Sequence, residues 1–145
     1  IAQGIAAVKF PARFEIISEN PPLILDGGHN PAAFKVIADS MKKFVPGTFD
    51  MIIGMTAEKD YSTSIELLAP MCRNITVTSA INSRTPALTP EALADVCRKY
   101  CKNVRVVPSQ SELADIVQER DIPLLVCGSL YLAAELRPLL LEWTK

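Results

Sequence analysis

Short runs rich in Leu, Ile and Val alternate along the chain with longer segments whose apolar positions recur at helical spacing. Phe14–Ile17 and Leu23–Leu25 read as two strands. Between them lies Glu19-Asn20-Pro21-Pro22, a turn cluster whose paired prolines cannot continue a ladder, so the two strands can pair antiparallel. From Asn30 the period changes to that of a helix: Asn30 is a good N-cap, Pro31 suits the first helical position, and Phe34, Ile37, Ala38, Met41 and Phe44 follow on one face. Pro46-Gly47 stops it. Phe49–Gly54 has the continuous apolar run of a strand buried on both faces of a parallel sheet. A helix from about Ser62 to Leu68 ends near Pro70, and Ile75–Thr78 is the next strand.

Thr89-Pro90-Glu91-Ala92 opens a further helix, with Thr89 as cap and Glu91 where the helix dipole favours negative charge, running to about Cys101. Val104–Val107 reads as a strand, Ser109–Gln118 as a helix, Leu124–Cys127 as a strand and Leu130–Trp143 as a last helix that Pro138 should kink. The alternation predicts an α/β fold: a three-layer, Rossmann-like domain with about six strands, mostly parallel, and one antiparallel edge strand. In such sheets ligands sit beyond the carboxyl ends of the strands. The ends to inspect are therefore Asp26–Pro31, Gly54–Asp60, the Thr78–Leu88 loop and Gly128–Tyr131. Residues 1–145 read as one domain, without internal repeat, linker or low-complexity stretch.

The chain has 145 residues, 49% of them hydrophobic and 21% charged, which excludes disordered and collagen-like classes. Mean hydropathy is +0.21. Fifteen basic and sixteen acidic residues leave a net charge of −1, with no run of Lys and Arg to neutralise a row of phosphates, so nucleic acid is not an expected partner. Ile122–Ala134, the longest uncharged stretch near the C-terminus, is shorter than the ~20 residues a spanning helix needs and contains Pro123 and Gly128, so no membrane span is expected. The chain begins at Ile1 without a Met or a signal-peptide pattern, and the expectation is a piece of a longer chain. Cys72, Cys97, Cys101 and Cys127 form no C-x-x-C pair and the one His is far away in sequence, so they read as buried, reduced core thiols in a cytoplasmic setting.

Candidate chemistry gathers at two strand ends. Asp26-Gly27-Gly28-His29-Asn30-Pro31 puts a carboxylate at a strand end, two glycines where backbone can approach a ligand, and an imidazole beside a helix N-terminus. A tight turn with an Asn cap accounts for Gly27, Gly28, Asn30 and Pro31 without a ligand, but leaves His29 unexplained. Gly128-Ser129-Leu130-Tyr131 repeats the geometry after the last strand, where a Ser cap with Tyr131 packed at the sheet edge is the competing explanation. Lys59-Asp60 reads as a solvated charge pair. No phosphate loop of the G-x-x-x-x-G-K-[ST] type, no G-x-G-x-x-G fingerprint, no zinc set and no nucleophile with base and orienter can be read, so a self-sufficient enzyme is not expected.

Three segments together resemble one family, the carboxy-terminal domain of folylpolyglutamate synthase and dihydrofolate synthase within the Mur ligase superfamily. Phe10-Pro11-Ala12-Arg13-Phe14-Glu15 resembles W-P-G-R-[LFM]-E, Asp26–Pro31 resembles D-G-A-H-N-P, and Gly128–Tyr131 resembles G-S-L-Y. Gly54–Asp60 is similar to G-x-x-x-D-K-D, with Glu58 where the family often has Asp. Departures are Phe10 for Trp, Ala12 for Gly and Gly28 for Ala. Peptidoglycan-building relatives carry a Gly-Lys-Gly-His-Glu type sequence where this chain has Gly128-Ser129-Leu130-Tyr131.

The resemblance implies an ATP-dependent amide ligase that adds L-glutamate to dihydropteroate or folates through an acyl phosphate. It implies that ATP and Mg²⁺ are bound mainly by a preceding N-terminal domain, which is also this domain's partner, and that the enzyme is a monomer. Arg13 and Asp26 take the nucleotide-binding positions; His29, Ser129 and Tyr131 line the glutamate side, with His29 the catalytic candidate; no metal ligand is assigned. The alternative is a non-catalytic Rossmann-like nucleotide-binding or interaction module.

Overall fold

Leu23-Ile24-Leu25, Met51-Ile52-Ile53 and Leu124–Cys127 are apolar without interruption because alternate side chains enter different cores. Ile24, Met51, Ile53, Leu125 and Cys127 point to one side; Leu23, Leu25, Ile52, Leu124 and Val126 point to the other. The computed structural model describes residues 11–57, 60–81 and 88–145. Its strands are β1 (Glu15–Glu19), β2 (Pro22–Asp26), β3 (Phe49–Ile53), β4 (Cys72–Val77), β5 (Val104–Val106) and β6 (Leu124–Cys127). Its helices are α1 (Pro31–Phe44), α2 (Tyr61–Leu68), α3 (Pro90–Cys97), α4 (Gln110–Gln118) and α5 (Leu130–Trp143).

The strands form one sheet in the order β1-β2-β6-β3-β4-β5, with β1 antiparallel to β2 at the edge and every other pairing parallel. Helices α1, α2 and α3 bury Phe34, Ile37, Met41, Ile65, Leu68, Leu93 and Cys97 on one face. Helices α4 and α5 bury Leu113, Val117, Leu132, Leu136 and Leu140 on the other. This is the expected three-layer architecture.

The caps act as their residue types require. Asn30 accepts from the Ala33 N–H at 2.8 Å, with Pro31 following and Lys42 and Lys43 in the last turn of α1. Thr89 accepts from the Ala92 N–H at 3.2 Å. Helix α5 runs unbroken from Leu130 to Trp143 with Pro138 inside it.

Element limits differ from the sequence reading, beginning with β1 and β2, which extend to Glu19 and Pro22 and pair across the proline turn, and one helix residue leaves its expected face. Strand β4 starts at Cys72 rather than Ile75, because Arg73 and the Asn74 N–H are both held by Asp50 of β3, at 2.8 and 3.1 Å. Helix α3 stops at Cys97 because the N–H groups of Lys99 and Tyr100 turn to carbonyls only three residues back. Phe44 has the right helical spacing for the core yet is 60% exposed, and its ring instead meets Phe14 at 5.4 Å. The four cysteines are free, with Cys97, Cys101 and Cys127 buried and Cys72 half-buried. Burial pushes the Cys72 and Cys127 thiols well up, and that of Cys97 to about 12.

Register decides where chemistry can gather. Asp26 is level with Cys127, and Cys127 with Ile53, so β2, β6 and β3 end on one rim. At that rim Gly128 adopts φ +111°, and a Cβ there would lie 2.4 Å from the Gly54 carbonyl oxygen. Only glycine lets β6 turn into α5 so close to the end of β3.

Candidate functional site

Immediately before β1, the chain turns through Ala12-Arg13-Phe14 with φ 61° at Ala12 and 44° at Phe14. Left-handed backbone costs an L-residue about 1–2 kcal/mol, so this turn is held by its surroundings rather than by its own preference. The Gly27 N–H donates to the Ala12 carbonyl at 2.7 Å, and the Phe14 N–H donates to Asp26 Oδ2 at 2.9 Å. The Ala12 N–H donates to Glu15 Oε1 at 2.9 Å. Arg13, between the two strained residues, is exposed at the end of β2.

Asp26 ends β2 half-buried. Its other oxygen, Oδ1, accepts from the Gly28 N–H at 2.7 Å. Burial raises its carboxyl above the ordinary 3.8, opposed by the N–H groups of Gly28 and Phe14 and by the Arg13 charge. Asp26 is therefore also the strut on which the Arg13 turn rests. Gly28 stands where the family pattern has Ala, and here a Cβ would meet Ala33 Cβ at 2.9 Å and Asp26 Oδ1 at 3.0 Å. The smaller residue is what this packing admits.

Half-buried His29 places Nδ1 3.3 Å from the Gly27 carbonyl oxygen. The tautomer with its proton on Nδ1 satisfies that contact and leaves Nε2 as an acceptor. Across the rim, the buried Ser129 Oγ accepts from the N–H groups of Tyr131 and Leu132 at 3.1 and 3.3 Å, so Ser129 caps α5. Tyr131 is half-buried in the first turn. Leu130, between them, lies against Gly27: a Cβ on that glycine would come within 2.6 Å of Leu130 Cδ2.

The structure thus brings Arg13, Asp26, His29, Ser129 and Tyr131 to the adjoining ends of β2 and β6. The cap that the sequence offered as the competing explanation for Ser129 is present, and His29, which the turn left unexplained, rests its Nδ1 on the Gly27 carbonyl. Phe10, Glu58, Lys59 and residues 82–87 lie outside the described residues. Among the described residues no three of His, Cys, Asp and Glu gather as a metal-holding set. No described helix is long and apolar enough to cross a membrane.

The family described as Mur ligase, glutamate ligase domain, matches residues 12–130. The chain belongs to that family. The folylpolyglutamate synthase of Lacticaseibacillus casei is 31% identical over 143 residues, covering 97% of this chain and 32% of that enzyme. The chain thus spans about a third of that relative's length. The Escherichia coli FolC structure in complex with DHPP and ADP superimposes with a TM-score of 0.78 at 27% identity, over 94% of this chain and 32% of that one. A folylpolyglutamate synthase structure from Thermotoga maritima gives 0.78 at 26%, over 99% of this chain and 35% of that one.

Within this Mur ligase glutamate ligase domain, the sequence reading gave no role to two participants, Glu15 at the end of the first motif and Arg137. Glu15 is buried and takes Arg137 of α5 in a bidentate ion pair, with Nε to Oε1 at 2.9 Å and Nη2 to Oε2 at 2.8 Å. The available signal was a lone cation among the leucines of α5. A cleft of about 480 Å³ lies at the amino ends of the strands, lined by Asp50, Asn74, Thr76, Lys102, Asn103 and Arg105 among others. None of the candidate site residues lines it.

Proposed function

We propose that this chain is the C-terminal domain of an ATP-dependent amide ligase that adds L-glutamate to dihydropteroate or folates, in folate biosynthesis and polyglutamylation. The observation that carries the reading is the meeting of Arg13, Asp26, His29, Ser129 and Tyr131 on the β2–β6 rim, in a chain whose relatives of three times its length are folylpolyglutamate synthases. None of these residues lines the cleft at the amino ends of the strands. The reading gives the opposing wall, including the phosphate loop and Mg²⁺ site, to an N-terminal domain of a monomeric cytoplasmic enzyme.

In the reaction a carboxylate oxygen of the pteroate or folate attacks the γ-phosphorus of ATP and ADP leaves. The glutamate amine then attacks the acyl carbon, losing its proton, and phosphate departs with the former carboxylate oxygen. Arg13 donates to phosphate oxygens as a planar fork. Asp26 spends one lone pair of each oxygen on backbone N–H groups and keeps the others for ribose hydroxyls. Ser129 accepts from α5 and still has a hydroxyl proton to donate to a glutamate carboxylate, beside the favourable end of the helix dipole. Tyr131 lines the same wall. His29 Nε2, left as an acceptor by the Nδ1 contact, suits the ammonium proton that the attacking amine must lose.

The test is oxygen transfer in the complete enzyme. With ¹⁸O in the acceptor carboxylate and glutamate present, the reading expects one ¹⁸O in the released phosphate and glutamate-dependent ADP formation. Unlabelled phosphate, or ADP release indifferent to both glutamate and pteroate or folate, would overturn it.

A further inference from the structure

We propose that Glu15 and Arg137 form a positioning clamp that aims Arg13 into the site. The inference rests on the reading that Arg13 meets the nucleotide. Two left-handed residues, Ala12 and Phe14, flank Arg13, so the direction of that guanidinium depends on contacts made by its neighbours. Three of these contacts tie the turn to β2 and α1: the Gly27 N–H on the Ala12 carbonyl, the Phe14 N–H on Asp26, and the Phe14 ring on Phe44. The fourth is the Ala12 N–H on Glu15 Oε1, which links the turn to Arg137 of α5.

That fourth contact is conditional. Glu15 Oε1 is shared between the Ala12 N–H and Arg137 Nε, both at 2.9 Å, while Oε2 takes Arg137 Nη2 at 2.8 Å. The carboxylate is 7% exposed and Arg137 is 36% exposed. Arg137 holds both oxygens of this buried carboxylate as a planar fork, and replacing it removes the restraint that fixes the direction of Oε1 toward the Ala12 N–H. Arg137 lies two helical turns beyond Ser129, about 12 Å along α5 at the standard rise, so it acts on the site through Glu15 and not by touching substrate. The same helix that presents Ser129 and Tyr131 therefore sets the pose of Arg13, and the two walls of the rim are held as one piece.

A plain staple between the first strand and the last helix would have the same contacts, and kinetics separate the two roles. In the complete enzyme, Glu15→Gln and Arg137→Gln are each expected to raise the KM for ATP fivefold or more, with glutamate KM within twofold of wild type. The double variant should be no worse than the poorer single one, because both remove one clamp. In an Arg13→Ala background, Arg137→Gln should leave the ATP KM unchanged, since nothing remains to be aimed. If the buried-side Glu15→Gln protein does not fold, Arg137→Gln alone carries the test. Wild-type ATP KM in a folded Arg137→Gln enzyme with a lowered Tm, while Arg13→Ala still raises that KM, would overturn the clamp and leave the role of Arg13 standing. Wild-type ATP KM in Arg13→Ala itself would remove the reading on which the clamp rests.

Discussion

The same substitution, glycine to alanine, should have opposite signs at two places in this domain. At Gly128 the backbone sits at φ +111°, and the added methyl carbon would stand 2.4 Å from the Gly54 carbonyl oxygen, 2.9 Å from Ile53 Cγ1 and 3.1 Å from Met55 Cγ. The oxygen cannot rotate away, because it is a backbone carbonyl immediately after β3, so the β3 and β6 ends must separate by roughly 1 Å. Positive φ costs about 1–2 kcal/mol and overpacking about 1–3, offset by about 0.4–1 from the stiffer unfolded chain. The net is a loss of about 1–4.6 kcal/mol, which at about 2–4 °C per kcal/mol for a domain near this size puts Tm down by about 2–18 °C. At Gly47 a Cβ meets nothing within 4 Å, so only the unfolded-chain effect remains and Gly47→Ala should add about 0.4–1 kcal/mol. Urea unfolding of both variants reads the two signs side by side. A Gly128→Ala midpoint equal to or above wild type would refute the close approach of the β3 and β6 ends, on which the rim depends.

Ser129→Ala should cost about 1 kcal/mol of stability by uncapping α5, visible as a lower urea midpoint, in addition to any effect on glutamate KM. Asp26 titrates above 3.8 when folded because burial disfavours its charge, so its contribution is full below pH 3.8 and is lost as pH rises through the folded value. The stability of wild type relative to Asp26→Asn should therefore fall with rising pH just above 3.8 and then level off; urea midpoints of both proteins across that window check the sign. With its pKa near 12, Cys97 should be labelled by a thiol reagent at pH 8 roughly 10³-fold more slowly in the native chain than in urea, on thiolate fraction alone.

Much of the fold was legible because its signals are local. Asn30-Pro31, Thr89-Pro90 and Ser129 announce helix starts by their own side-chain chemistry, and the uninterrupted apolar runs of β3 and β6 announce helices on both faces. Two of the differences depend on partners distant in sequence: β4 extends to Cys72 because Asp50 holds Arg73, and the exposed Phe44 ring meets Phe14. The site divides in the same way. Asp26, His29 and Ser129 stand at strand ends that a βαβ reading marks directly. The Glu15–Arg137 pair spans 122 positions, and neither residue announces the other. Nor can spacing show that Ala12 and Phe14 carry left-handed backbone, since Ala and Phe ordinarily avoid it.

The central claim is that one rim of this domain serves two substrates, with Arg13 and Asp26 toward ATP and His29, Ser129 and Tyr131 toward glutamate. Steady-state kinetics of Arg13→Ala and Tyr131→Phe in the complete enzyme, varying each substrate in turn, tests it most directly. Losing a charge-assisted hydrogen bond costs about 1.5–3 kcal/mol and a neutral one about 0.5–1.5. Arg13→Ala should therefore raise the ATP KM about tenfold or more and leave glutamate KM near wild type, while Tyr131→Phe should raise glutamate KM about two- to tenfold and spare ATP. Wild-type constants for both substrates in either folded variant, or the two effects exchanged, would contradict the account.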